Sequence, residues 1–102
     1  FHIPFPSVEL EAKRVASRVP DLAQSMTKKL VQFVHAVRLL DLKKAPAISE
    51  TVDWAKSLLL LHAKDLDSAL VKDTLNVLLK YEDDIQTAQG QLSKLMVAAA
   101  ES

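Results

Sequence analysis

A single glycine, Gly90, is all that the 102 residues contain. Sheets are built around hairpin turns that need positive φ angles, and glycine is the residue that supplies them without steric cost. A sheet protein of this length needs many more turn residues. Leu, Ala, Lys and Gln, all good helix formers, dominate instead. The chain is therefore expected to be all-α, a small bundle of four to five helices. The four prolines supply the punctuation: Pro4 and Pro6 mark an extended opening, and Pro20 and Pro46 each stand in a break between periodic segments.

The apolar periodicity places the helices. The first is expected from about Ser7 to Val19, with Val8, Ala12, Val15 and Val19 on its apolar face. Glu9 and Glu11 lie near its positive end, and Arg14 and Arg18 in its last turns, where cations suit the macrodipole. For the second, Asp21 followed by Gln24 has the pattern of a capping box. Leu22, Met26, Leu30, Phe33, Val34, Val37 and Leu40 then form one stripe, and the helix is expected to end near Asp41. The third starts at Ser49, with Glu50 and Asp53 in its first turn, and carries Val52, Trp54, Ala55, Leu58 and Leu59. After His62 a connector runs through Asp65 to a fourth helix capped near Asp67, with Leu70, Leu75, Leu78 and Leu79 inward. The tail from Glu82 is read as a fifth helix, packed through Ile85, Leu92 and Leu95 or Met96.

With 49% hydrophobic and 25% charged residues, the chain can build one core. A domain of this size buries roughly 65% of its unfolded surface. Thirteen basic side chains balance thirteen acidic ones. Duplex nucleic acid demands a basic surplus, so no nucleic-acid partner is expected. The absence of cysteine excludes disulfides and thiolate metal sites and suits a cytoplasmic location. No apolar stretch approaches the ~20 residues that cross a bilayer, so no membrane span is expected. The chain opens at Phe1 rather than Met, which reads as a piece of something larger.

Catalytic constellations are hard to find. His2, His35 and His62 are too scattered for a metal site, and His35 beside the second stripe reads as a core-edge histidine. No serine stands in a nucleophile elbow. The pairs Asp83-Asp84 and Asp65/Asp67 read as solvated turns or caps. One glycine cannot build a phosphate-cradling loop. Lys28-Lys29 and Lys43-Lys44 read first as solvated faces, and second as contacts for a phosphate or an acidic partner. Trp54 reads as core. No catalytic and no metal-binding residue is assigned.

Three stretches carry a family likeness. The first is Phe5-Pro6-Ser7-Val8-Glu9-Leu10-Glu11, followed by Arg18-Val19-Pro20. The second runs from Val31-Gln32-Phe33-Val34 through Leu39-Leu40-Asp41-Leu42-Lys43-Lys44-Ala45-Pro46. The third joins Ile48-Ser49-Glu50-Thr51-Val52-Asp53-Trp54-Ala55 to Asp73-Thr74-Leu75-Asn76-Val77-Leu78-Leu79-Lys80-Tyr81. Together, over about Phe1 to Ile85, they resemble the C-terminal helical lid of MoxR-type AAA+ ATPases, in the branch reading ET-x-DWA and DTL-x-x-LLKY.

The resemblance implies an organisation: residues 1–6 as strand and linker leaving a missing AAA+ core, 7–85 as the lid, and 86–102 as a C-terminal helical tail. It also implies that ATP and Mg lie in the parent protein between core and lid, so the fragment by itself is not an enzyme and binds no cofactor alone. The implied partners are the chain's own core, neighbouring subunits of a hexameric ring, and a protein with a von Willebrand factor A domain. The implied work is chaperone-like maturation or cofactor insertion. Many such lids place an arginine near the start of the third lid helix, reaching the γ-phosphate. Here that position holds Glu50, between Ser49 and Thr51, and these three are the expected nucleotide-facing residues. The other reading is a stand-alone helical module that binds a partner helix.

Overall fold

The computed structural model describes residues 6–100. Among them are six α-helices and no strand: α1 Val8–Arg18, α2 Gln24–Val37, α3 Ile48–Leu60, α4 Ser68–Leu78, α5 Glu82–Gly90 and α6 Leu92–Ala100. The all-helical bundle is as expected, but with one helix more than the four to five read from the pattern. The strand and linker expected over 1–6 lie outside the described residues, except for Pro6.

The extra helix comes from the tail. Gln91, with φ −111° and ψ 15°, closes α5, and its carbonyl accepts from Leu95 N–H to open α6. The break turns the chain, so that α5 packs on α4 while α6 lies along α2. Residue 86 falls inside α5, and α6 contributes Leu95 and Ala99 to the core.

The capping box expected at Asp21 and Gln24 does not form. Val19 to Leu22 instead make a turn closed by Leu22 N–H on the Val19 carbonyl, with Pro20 and Asp21 at its corners. Proline presets φ for the first corner of such a turn. Asp21 is thereby used outside the helix, Leu22 is buried ahead of it, and Ala23 takes the N-cap with no side-chain bond. The same helix stops at Val37 rather than near Asp41. Leu39 and Leu40 donate to carbonyls three residues back, which tightens and ends the helix.

Other ends follow the sequence closely. Ser7 Oγ accepts from Leu10 N–H at 3.2 Å, and Asp67 Oδ1 from Leu70 N–H at 2.8 Å, each satisfying one free donor of a first turn. Helix α3 begins at Ile48, one residue earlier than expected, with Ala47 as its N-cap, and is followed by a left-handed residue, His62, with φ 56°. Ala63 N–H reaches the Leu58 carbonyl and His62 N–H that of Leu59, which is the Schellman closure.

All six helices contribute to one apolar core, α5 through Ala88, and in it Phe33 and Trp54 meet at 5.3 Å between ring centroids. Trp54 Nε1 donates to Thr74 Oγ1 at 2.8 Å, and that hydroxyl donates in turn to the Leu70 carbonyl. The indole's one polar atom is thus satisfied inside the core, as expected for a core tryptophan. Leu30, Leu58, Leu75 and Leu78 fill the remainder, each contributing about 1.5–3 kcal/mol by burial.

Candidate functional site

Successive residues of a helix are about 100° apart, and at the start of α3 this sends Ser49, Glu50 and Thr51 in three directions. Ser49 is exposed and lines a groove between α1 and α3. Glu50 turns back along the chain, where its Oε1 accepts from Ala47 N–H at 2.8 Å. It serves the helix end and does not line the groove. Thr51 is buried and its hydroxyl donates to Glu11 Oε2 at 2.9 Å. Of the three expected nucleotide-facing residues, the fold brings one to an open surface.

The groove itself is assembled from two helix faces. Arg14, Ser17 and Arg18 are spaced to share one face of α1, and Ser49, Val52, Asp53 and Lys56 one face of α3. The faces meet because α1 packs on α3. They enclose about 430 Å³ with three cations, Arg14, Arg18 and Lys56, against one carboxylate, Asp53. Sequence reading assigned Arg14 and Arg18 only to the helix dipole, and Lys56 to nothing. Their helical spacing was visible, but the pairing of the two faces was not.

A buried charge cluster joins the same two helices to α2. Glu11 is 0% exposed and Arg38 is nearly so. Arg38 Nη1 donates to Glu11 Oε1 at 2.6 Å and Nη2 to Oε2 at 2.8 Å, a two-bond fork. His35 Nε2 stands 2.8 Å from Oε1 and donates to it, since an ionised carboxylate can only accept. Thr51 supplies the fourth bond. Burial pushes the Glu11 carboxyl up, but the Arg38 guanidinium, through hydrogen bonds and charge, and the Thr51 and His35 bonds outweigh it, and hold the group below its ordinary value. The cluster ties α1, α2 and α3 together at the end where α3 begins. Arg38 Nε also donates to the Pro46 carbonyl at 2.8 Å, anchoring the loop that leads into α3.

That loop is fastened from the other side by Asp84, which is buried rather than solvated as the sequence suggested. Its carboxylate accepts from the backbone N–H groups of Lys43 and Lys44 at 2.8 and 3.1 Å. Lys43 Nζ pairs with Asp83 at 2.9 Å and lies 5.9 Å above the Tyr81 ring. The Asp83 carboxyl is held low by this lysine. In the other basic pair, Lys29 bonds Asp65 at 2.8 Å, joining the head of α2 to the α3–α4 connector.

A second groove of about 510 Å³ lies between α1 and α2, with Val8, Ala12 and Ala16 from one wall and Thr27 and Lys28 from the other. Glu9, Lys13 and Lys28 line it as well, two cations against one carboxylate. Among the described residues no three His, Asp or Glu side chains converge on a metal position, and no helix is long and apolar enough to cross a membrane. Comparison with protein-family models, with curated proteins and with solved structures found no match.

Proposed function

We propose that the chain is the helical lid of a MoxR-type AAA+ ATPase, catalytically inert alone and closing over ATP held by a preceding core. The observation that carries this reading is the cationic groove at the head of α3, where the resemblance implies nucleotide. Ser49, the one expected residue at the surface, stands in it beside Arg14, Arg18 and Lys56. Anions are favoured where a helix N-terminus and unpaired cations meet. In the parent protein, closing the lid would bring these cations toward the phosphates, and the cluster around Glu11 would make α1, α2 and α3 move as one piece.

Large apolar side chains on the surface fit a domain that docks on others. Leu39 is 88% exposed, Leu60 78% and Leu61 57%. Under this proposal they meet the chain's own core and neighbouring subunits of a ring. The same exposure favours the second reading, a stand-alone helical module with a protein partner.

The coding sequence upstream of Phe1 separates the two. A GxxxxGK[ST] phosphate loop in the same reading frame is the expected result. An initiator codon immediately before Phe1, with no such loop, would overturn the lid assignment and leave the binding module.

A further inference from the structure

Helix α5 is held in place differently from the other helices. A helix of nine residues is too short to persist alone in water, so its position depends on what it docks against. Yet it buries only Asp84 and Ala88, with Ile85 partly covered. Its N-cap residue, Tyr81, makes no side-chain bond to the first turn. Among the described residues, the side-chain bonds that tie α5 to the rest of the fold are polar and reach the α2–α3 connector. Asp84 accepts from the Lys43 and Lys44 amides at 2.8 and 3.1 Å, and Asp83 pairs with Lys43 Nζ at 2.9 Å. The Lys43–Asp83 pair is largely exposed and contributes little, which leaves the buried Asp84 carboxylate as the main tie. On either side the chain is fixed by apolar burial, through Leu78 and Leu79 before α5 and Leu95 and Ala99 after it. The connector is likewise fixed at its far end, where Pro46 is buried and its carbonyl accepts from Arg38 Nε. Segments that bury little apolar surface are the first to open in a native protein.

We propose that α5 is a releasable clasp on the α2–α3 connector, with Asp84 as its catch. When the Asp84 carboxylate parts from the Lys43 and Lys44 amides, α5 and residues 41–45 open together, while α4, α6 and the head of α3 stay packed. The two segments lie some forty residues apart in sequence, and the Asp84 bonds are what couple them. In the closed state the connector is pinned. In the open state two backbone amides and Ala88 meet water. Lys43 adds to the grip from outside, through Asp83 and from 5.9 Å above the Tyr81 ring, so the catch can be weakened without touching the core. The clasp belongs to this fold in either functional reading.

The test is native-state hydrogen exchange on the full chain, read amide by amide by NMR and corrected for intrinsic rates. The amides of Lys43, Lys44, Ala88 and Gln89 are expected to share one opening. They should exchange at least about tenfold faster than Leu30, Phe33 and Leu95, which need global unfolding. Asp84→Asn removes the charge and one acceptor, and should speed the clasp amides about tenfold, the scale of a lost charge-assisted hydrogen bond. Core amides follow, since global unfolding breaks the same tie. Val15→Ala provides the contrast, because Val15 is buried on α1, which packs on α2 and α3. It should speed the core amides about tenfold and leave the clasp amides unchanged. Lys43→Ala, a surface change, should speed the clasp amides about twofold, and gives the same readout where Asp84→Asn folds poorly. Clasp amides that exchange at core rates, or that respond to Val15→Ala as the core does, would overturn the proposal. So would separate openings of α5 and the connector, or clasp rates indifferent to both Asp84→Asn and Lys43→Ala.

Discussion

Glu11 is the residue on which three helices depend. An ionised carboxylate taken out of water loses several kcal/mol of hydration, and the loss is made good only where its lone pairs are all engaged. Here Oε1 accepts from Arg38 and His35, and Oε2 from Arg38 and Thr51. Glu11→Gln leaves the buried Arg38 charge without its partner and should cost about 3–5 kcal/mol in urea unfolding at pH 7. Replacing both, Glu11→Leu with Arg38→Met, should cost clearly less than the single change, because no orphaned charge remains. The lowered carboxyl pKa also sets a direction with pH. A carboxyl lowered on folding stabilises fully above its unfolded value of about 4.3, and the contribution fades as pH falls through the lower folded value. The stability gap between the wild type and Glu11→Gln should therefore narrow in acid, which paired urea titrations at pH 7 and below pH 4 would show. A constant gap would remove the ionised pair from this account. The cluster was half visible in sequence, since Glu11 lies three residues after Val8 and four before Val15, inside the buried stripe of α1. What could not be seen is that Arg38, His35 and Thr51 arrive from other helices to meet it.

Among the elements, those ended by local chemistry were legible and those ended by tertiary demands were not. Ser7 and Asp67 cap through side-chain oxygens three residues from their targets, and that spacing is written in the chain. Asp21 has the same chemistry, yet the buried Leu22 beside it required a turn there, and core burial outweighed a cap worth about 1 kcal/mol. Helix α3 ends in another way, followed by a non-glycine residue in the left-handed region. That conformation costs a residue with a Cβ about 1–2 kcal/mol. Glycine would remove the strain but lose about 0.4–1 kcal/mol through added freedom in the unfolded chain. His62 is exposed, so His62→Gly should raise stability by about 0.5–1 kcal/mol in thermal unfolding. A lower melting temperature would show that His62 makes contacts beyond its backbone geometry.

For the whole molecule, the tail is the decisive piece. α6 lies along α2 and buries Leu95 and Ala99, with Met96 partly covered. Ending the chain at Gly90 should strip the covered face of α2 and remove about 2 kcal/mol through Leu95 alone. The shortened chain should melt earlier and bind an apolar dye that the full chain excludes. Equal melting of both forms would mean that α6 adds nothing to the core.

The helical class, the inward stripes and most helix starts were determined by the sequence itself, because one glycine and a 3.6-residue apolar period act over neighbouring residues and need no partner. Tertiary structure decided which faces meet. It set Arg14 and Arg18 opposite Lys56 across a groove. It turned Glu50 back to its own helix end and drew Thr51 inward to Glu11. Asp84 became a buried anchor for the 41–47 loop rather than a solvated turn, because backbone amides some forty residues away complete its hydrogen bonds. The reason is the same in each case: a polar side chain is placed by partners distant in sequence, and its own neighbours along the chain carry no record of them.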